Sequence, residues 1–180
     1  KGELATVQKS LGDSWYRSGE FRKATEAYAA ARPLATDNPL FDAGLMLNLS
    51  YVEEKLGQYA EAMRWTEQAR VVLQSIDGVD AAKQMAQAGS WYANLLQFEG
   101  RTSEALEWAE RSVAEAQVAD DPDSLGESYY VMGWAYGELG KDGAADGVAR
   151  VLGVERPHLD RSPSLLPEGS HVCNLPRSRP

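Results

Sequence analysis

Hydrophobic residues recur at helical spacing through the first 140 residues, and no alternating pattern typical of strands competes with them. The pattern predicts seven helices, at about 2–17, 21–32, 40–56, 59–75, 79–98, 102–118 and 123–139. Pro33, Pro39 and Pro122 fall between these segments, as expected of residues that interrupt a helix. The chain is therefore predicted to be all-α.

A short turn containing glycine recurs along the chain. The turn glycines are Gly19, Gly57, Gly100 and Gly140. Glycine suits this place because the residue after a helix end commonly needs a positive φ. An alanine follows each glycine five residues later, where a small side chain lets a second helix approach the first closely. These alanines are Ala24, Ala62, Ala105 and Ala145. The sequence thus contains four copies of a helix-turn-helix unit.

Two stretches before the turns complete the pattern. Residues 11–15 (LGDSW) and 132–136 (MGWAY) place a small residue seven positions before a turn glycine and an aromatic residue four before it. Together with the spaced alanines, this pattern resembles the tetratricopeptide family. The resemblance implies an α-solenoid of about four antiparallel helix-turn-helix repeats, in units of about 5–38, 43–77, 86–119 and 126–153.

The repeat period is longer than the family's common value of about 34 residues. The turn glycines are 38, 43 and 40 residues apart. Long-period arrays of this kind resemble those of bacterial, and in particular actinobacterial, cyclase-type or ATPase signalling regulators. The stretch from Trp91 to Gly140 is similar to those arrays.

The composition changes near residue 140. All 16 aromatic residues lie between Trp15 and Tyr136, whereas residues 141–180 hold both histidines, the one cysteine and five of the eight prolines. Gly143 and Gly147 each weaken a helix by about 1 kcal/mol relative to alanine. We therefore predict a helical repeat domain over 1–153 and an irregular, proline-rich tail over 154–180. A genuine linker or a shifted reading frame would each produce such a change.

The charge of the chain bears on its partners. Eighteen basic and 27 acidic residues give a net charge of −9, which argues against direct binding to nucleic acid or to a membrane and favours a basic protein or peptide. No apolar run approaches the roughly 20 residues of a membrane-spanning helix. The single cysteine is compatible with a cytoplasmic setting. Because the first residue is Lys1, we expect a segment of a longer protein.

The patterns of known enzyme and metal sites are incomplete in this sequence. The Gly140-Lys141 pair lacks the upstream glycine and the following Ser or Thr of a phosphate-binding loop. His158 and His171 lack the spacing of a zinc site on one helix, and Cys173 has no recognisable orienting partner. We expect no catalytic activity, no metal and no cofactor.

The tetratricopeptide resemblance implies that the first helix of each repeat lines a concave groove that binds a partner. The implied groove residues are Lys9, Asp13, Tyr16, Arg17, Leu47, Tyr51, Glu54, Lys55, Ser90, Asn94, Gln97, Phe98, Tyr130, Trp134 and Glu138. The five aromatic members would form a stripe able to grip a peptide or a helix. Core packing is the competing explanation for any aromatic at helical spacing, and we expect it for Trp15, Trp65, Trp91, Trp108 and Tyr136.

Some members of the family bind a C-terminal carboxylate with a clamp of cations and amides. Lys9 and Asn48 match two of the clamp positions. Asp13, Gln87 and Trp91 occupy the other three, so the clamp is incomplete.

Three functions follow as hypotheses. The first is a protein-interaction scaffold that binds a peptide or helical segment in its groove, with self-association through the exposed ends of the array. The second is a regulatory or sensor arm of a larger signalling ATPase, nucleotide cyclase or transcription regulator. The third is a hydrolase or transferase with an unrecognised site.

Overall fold

The computed structural model describes residues 2–140, which form seven α-helices joined by short turns. The helices are α1 (Gly2–Arg17), α2 (Phe21–Ala31), α3 (Pro39–Lys55), α4 (Tyr59–Leu73), α5 (Val79–Phe98), α6 (Thr102–Ala119) and α7 (Pro122–Glu138). Every predicted boundary is within two residues of the observed one. The predictions for Ala145, for a helix continuing to 153 and for the tail lie outside the described residues.

The prolines lie inside helical segments rather than between them. Pro39 and Pro122 are the first residues of α3 and α7, and Pro33 lies in a 3₁₀ helix, Arg32–Leu34, that follows α2. A proline at the first helical position loses nothing, because its missing N–H would have no partner inside the helix. Asn38 caps α3, since its Oδ1 accepts from the Phe41 N–H at 3.0 Å.

The four turn glycines have the conformation predicted for them. Their φ angles lie between +68° and +78°. A residue with a side chain is strained in this region, so the glycines end the helices without that strain. The prediction of the turns is confirmed.

Small residues set the distance between the helices of each hairpin. Ala24, Ala62 and Ala105 are completely buried where α2, α4 and α6 pack on α1, α3 and α5. A Cβ atom on Gly12 would lie 2.5 Å from the ring of Tyr28, so this position accepts only glycine without a shift. The described residues therefore form a stack of antiparallel hairpins, and the predicted all-α solenoid is confirmed.

Large aromatic side chains pack along the seams between the hairpins. Trp15 and Trp65 are partly buried against the core between α1 and α4, and Trp91 and Trp108 against the core between α4 and α7. The prediction of core packing is confirmed for these four residues. The limits of the individual repeats and of the domain stay predictions.

Candidate partner-binding groove

The first helices of the hairpins line one side of the stack. α3 contacts α5, and α5 contacts α7, whereas α2, α4 and α6 pack mainly on the helices next to them in sequence. In a curved stack of repeats, the helices that approach one another lie on the inner side. The predicted groove residues are on these helices, apart from four that are on α1: Lys9, Asp13, Tyr16 and Arg17.

A pocket of about 220 Å³ opens between α1 and α3. Its walls are Asp13, Tyr16, Arg17, Tyr28, Asn48 and Tyr51. Four of these were predicted groove residues, and Asn48 was one of the two matching clamp positions. Only Tyr28, which reaches the pocket from α2, was not expected. The structure thus brings together predicted residues of the first two repeats.

Asp13 holds the pocket wall in place. Its Oδ2 lies 2.8 Å from Lys9 Nζ, and the Tyr28 hydroxyl donates to its Oδ1 at 2.8 Å. Burial, together with this hydrogen bond, raises the pKa of Tyr28 well above its usual value of 10.0. Lys9 and Asp13 therefore neutralise each other's charge within α1.

Arg17 gives the pocket its positive charge. The side chain is exposed, and it takes part in none of the ion pairs formed between residues 2–140. The neighbouring Tyr16 ring is tilted against Phe21 at a centroid distance of 5.7 Å. The rim of the pocket thus offers a guanidinium beside an aromatic ring.

Tyr51 belongs to the contact between α3 and α5 as much as to the groove. Its ring meets that of Trp91 edge-on at 4.3 Å, and a side-chain hydrogen bond links its hydroxyl group to Gln87. Burial raises the pKa of Tyr51. The Trp91 indole N–H donates to Ser50 Oγ at 3.1 Å. Gln87 and Trp91, two of the three residues at the unmatched clamp positions, therefore connect α5 to α3.

Three predicted groove residues are buried, so the structure does not leave their side chains open to a partner. Leu47, Glu54 and Ser90 are 2 %, 6 % and 0 % exposed. Leu47 belongs to the apolar core between α3, α4 and α5, and Glu54 Oε2 lies 2.8 Å from Lys55 Nζ. Helical spacing places these residues on first helices, but neighbouring helices cover them.

Three further predicted residues lie towards the end of α5. Asn94 and Gln97 are partly buried. Phe98 is 40 % exposed and stacks on Tyr59 of α4, with ring centroids 5.4 Å apart and planes at 17°. Phe98 therefore closes the seam between α4 and α5.

The predicted residues of α7 differ in exposure. Tyr130 is 50 % exposed and Glu138 is also exposed, whereas Trp134 packs against the core cluster of α5, α6 and α7. The predicted aromatic stripe is interrupted, because the rings of Tyr51 and Phe98 pack against aromatic rings of neighbouring helices. Open aromatic surface remains beside the α1–α3 pocket, at Phe98 and at Tyr130.

Glu127 of α7 is a groove residue that the sequence reasoning missed. Ser90 Oγ donates to its Oε2 at 2.7 Å. Burial and, less strongly, the charge of Asp121 raise the pKa of Glu127, whereas the Ser90 hydrogen bond lowers it. Glu127 lies three residues before Tyr130 and seven before Trp134, so helical spacing from these predicted residues indicates its position.

The placement of Glu127 predicts a pH dependence of stability. A raised pKa in the folded state stabilises the fold at low pH, and this contribution is lost as the pH rises from 4.5 through the raised pKa. The Glu127→Gln variant lacks the titrating group. As the pH rises through this range, the free energy of unfolding of the variant should therefore fall less than that of the wild type. Urea unfolding followed by circular dichroism at several pH values measures the difference. Parallel pH profiles for the two proteins would contradict the buried placement.

A second pocket, of about 400 Å³, lies on the connection between α2 and α3. Its walls are Ala29, Arg32, Pro33, Thr36, Asp42 and Trp65. Arg32 binds both carboxylate oxygens of Asp42, at 2.8 and 3.1 Å, and lies over the Trp65 ring at 5.0 Å. The charges of this pocket are paired with each other, which makes it a weaker candidate for a partner.

Metal and membrane sites receive no support from the described residues. Residues 2–140 contain no group of three or more His, Cys, Asp or Glu side chains arranged to hold a metal ion. Among the same residues, no helix is long and apolar enough to cross a membrane. His158, His171 and Cys173 lie outside the described part.

The first described helix, α1, exposes apolar side chains. Leu4, Val7 and Leu11 are exposed and lie on one side of the helix. Self-association through this end stays a prediction.

Comparison with known proteins identifies the fold. No protein-family model matches the sequence, and no curated protein matches it either. Among solved structures, BtubC (BKLC) from P. vanneervenii is similar, with a TM-score of 0.71 and 21 % identity over 93 % of this chain and 71 % of that one. The apo form of RapI has a TM-score of 0.71 and 19 % identity over 84 % of this chain and 42 % of RapI.

A third similar structure is the Rap conjugation gene regulator of the plasmid pLS20, solved in complex with the Phr* peptide. Its TM-score is 0.67, with 16 % identity over 80 % of this chain and 40 % of that protein. The chain thus spans less than half the length of the two Rap proteins. These neighbours support a tetratricopeptide-like helical repeat fold.

Proposed function

We propose that this chain is a protein-interaction scaffold that binds a peptide or helical segment along its inner helices. The observation that carries the proposal is the open pocket between α1 and α3, whose walls include the exposed Arg17 and the rings of Tyr16 and Tyr51. The fold similarity to a Rap regulator solved in complex with a peptide supports a peptide as the ligand.

The length of the groove indicates the length of the ligand. Packed helices lie about 8–10 Å apart, so three steps from α1 to α7 span roughly 24–30 Å. An extended chain covers about 3.3–3.6 Å per residue, and a segment of about eight residues therefore reaches from Arg17 to Tyr130.

The net charge of −9 favours a basic protein or peptide over nucleic acid or membrane lipid. We assign the chain a binding role without catalytic activity, in the cytoplasm. A scaffold of this kind acts by positioning its partner, because the groove supplies contact surface rather than reacting groups.

A second candidate function is a regulatory or sensor arm of a larger signalling ATPase, nucleotide cyclase or transcription regulator. The similarity to a conjugation gene regulator, of which this chain matches 40 %, favours it. The two proposals differ in what peptide binding does, because in the second it would alter the activity of an attached module. Full-length gene context and an activity assay with and without the peptide would separate them.

Peptides selected from a random library of about ten residues test the proposed groove. We expect Arg17→Ala and Tyr130→Ala each to weaken binding of the selected peptides by about tenfold or more, because exposed Arg and aromatic side chains often dominate interfaces. Fluorescence anisotropy measures the affinities, and thermal unfolding shows that the variants remain folded.

Arg22→Ala is the matched control for Arg17→Ala, because it removes the same charge from an exposed position on α2. Its effect on affinity should be less than about twofold. Peptides that bind both groove variants as tightly as the wild type, or that lose affinity for the Arg22 variant instead, would overturn the proposed groove.

A further inference from the structure

Glu127 differs from several other buried or partly buried acids of the described chain in having no cationic partner. Asp13, Asp42, Glu54 and Glu115 each have a Lys or Arg nitrogen within 2.8 Å. Glu127 takes part in none of the ion pairs among residues 2–140, and Ser90 Oγ donates a hydrogen bond to it at 2.7 Å. Its negative charge is therefore compensated by one hydroxyl group.

The surroundings of Glu127 make that charge more costly. Asp121, at the start of α7, adds a second negative charge, and on α3 the charge of Glu127 raises the pKa of the Tyr51 phenol. The group facing it from α5 is the neutral Ser90. A carboxylate in a partly desolvated site gains strongly from a cation, because it has already lost part of its hydration.

The position of Glu127 places this charge where a groove ligand would pass. It lies between α5 and α7, close enough to Tyr51 for its charge to act on that ring. Tyr130 follows three residues later on the same side of α7 and is 50 % exposed. A cationic side chain that reached Glu127 would therefore lie beside exposed aromatic surface, which also favours cations.

We propose that Glu127 binds a basic side chain, Lys or Arg, of the peptide that occupies the groove. This inference rests on the proposed peptide-binding function and adds a position to it. With Arg17 at the α1 end and Glu127 at the α7 end, the groove has opposite charges at its two ends. A peptide therefore binds in one orientation, with its basic residue over α5 and α7.

The test uses the peptides selected on the wild-type chain, each compared with a version in which its lysines or arginines are replaced by norleucine. Wild-type affinity should fall by about 10- to 100-fold on this replacement, and Glu127→Gln should produce a similar loss for the original peptide. The two losses should not add, because both remove the same pair of charges. N-terminal acetylation of the peptide should leave affinity unchanged, whereas a large loss would assign the site to a terminal ammonium.

Glu53→Gln is a closely matched control. Burial also raises the pKa of Glu53, which accepts from Thr25 Oγ1 at 3.5 Å on the seam between α2 and α3, and Glu53 takes part in none of the ion pairs among residues 2–140. The two variants make the same chemical change, but only Glu127→Gln should weaken binding. Thermal unfolding of both variants monitors the fold.

The pH dependence of binding gives a second readout. The cation binds the ionised carboxylate, so affinity should rise as the pH increases from 4.5 through the raised pKa of Glu127, and this rise should be absent in Glu127→Gln. Peptides that depend on Arg17 and Tyr130 but are indifferent to Glu127→Gln would overturn this inference and leave the groove in place. Absence of any groove-dependent peptide would contradict both proposals.

Discussion

Replacing Arg70 with methionine is expected to lower the free energy of unfolding by about 1.5–3 kcal/mol, because it leaves the partly buried carboxylate of Glu115 without its charged hydrogen-bond partner. The Arg70 side chain is 10 % exposed, and its two terminal nitrogens donate to Glu115 at 2.9 and 2.7 Å. Arg70 also donates to the Met85 carbonyl at 3.0 Å and lies over the Trp108 ring. This one guanidinium therefore joins α4, α5 and α6.

A glycine on α5 leaves space for the ion pair between Arg70 and Glu115. A Cβ atom on Gly89 of α5 would lie 2.8 Å from a Glu115 oxygen and 3.1 Å from an Arg70 nitrogen. The glycine thus allows the pair to cross α5. The ion pair couples the second and third hairpins, so its loss should affect the whole described array rather than one helix.

Urea unfolding followed by circular dichroism measures the effect of Arg70→Met. The control is Arg101→Met, which removes an equivalent arginine from the exposed pair with Glu104 and should leave the unfolding free energy nearly unchanged. The double variant Arg70→Met/Glu115→Leu should recover most of the lost stability, because no buried charge remains unpaired. Equal effects of the Arg70 and Arg101 variants would contradict the role of the buried pair.

The second large effect concerns the alanines that follow the turn glycines. Ala62→Leu and Ala105→Leu should each lower the free energy of unfolding by about 1–3 kcal/mol, because both side chains are completely buried and a larger one must separate the helices of its hairpin. The two variants should behave alike, since the two residues occupy the same position in successive repeats.

Ala60→Leu is the matched control for these variants, because Ala60 is exposed on the same helix as Ala62. Its unfolding free energy should change by less than about 0.5 kcal/mol. Melting temperatures and urea midpoints of the three variants provide the comparison. An unchanged midpoint for Ala62→Leu or Ala105→Leu would show that the repeat register is assigned wrongly.

The structure also decides which groove residues are suitable for testing binding. Tyr51 and Trp134 were expected to act as aromatic anchors, but both pack against other helices. Truncating them would weaken the fold together with any binding. Arg17 and Tyr130 are exposed, so their loss reports on binding more directly.

The sequence alone determined the helices, the turns and the close contacts within each hairpin. Helical periodicity, positive φ at the turn glycines and small residues at fixed distances from them are local properties, so a single sequence reveals them. Even the missed proline positions follow a local rule, since Pro39 and Pro122 begin helices.

Only the tertiary structure decided which residues of the first helices remain open. Leu47, Glu54 and Ser90 share the helical spacing of exposed groove residues, yet neighbouring helices bury them. The contact of Ser90 with Glu127 joins residues 37 positions apart, and that of Arg70 with Glu115 joins residues 45 positions apart. Such contacts depend on how successive hairpins rotate against one another, and the pattern within one hairpin does not encode that rotation.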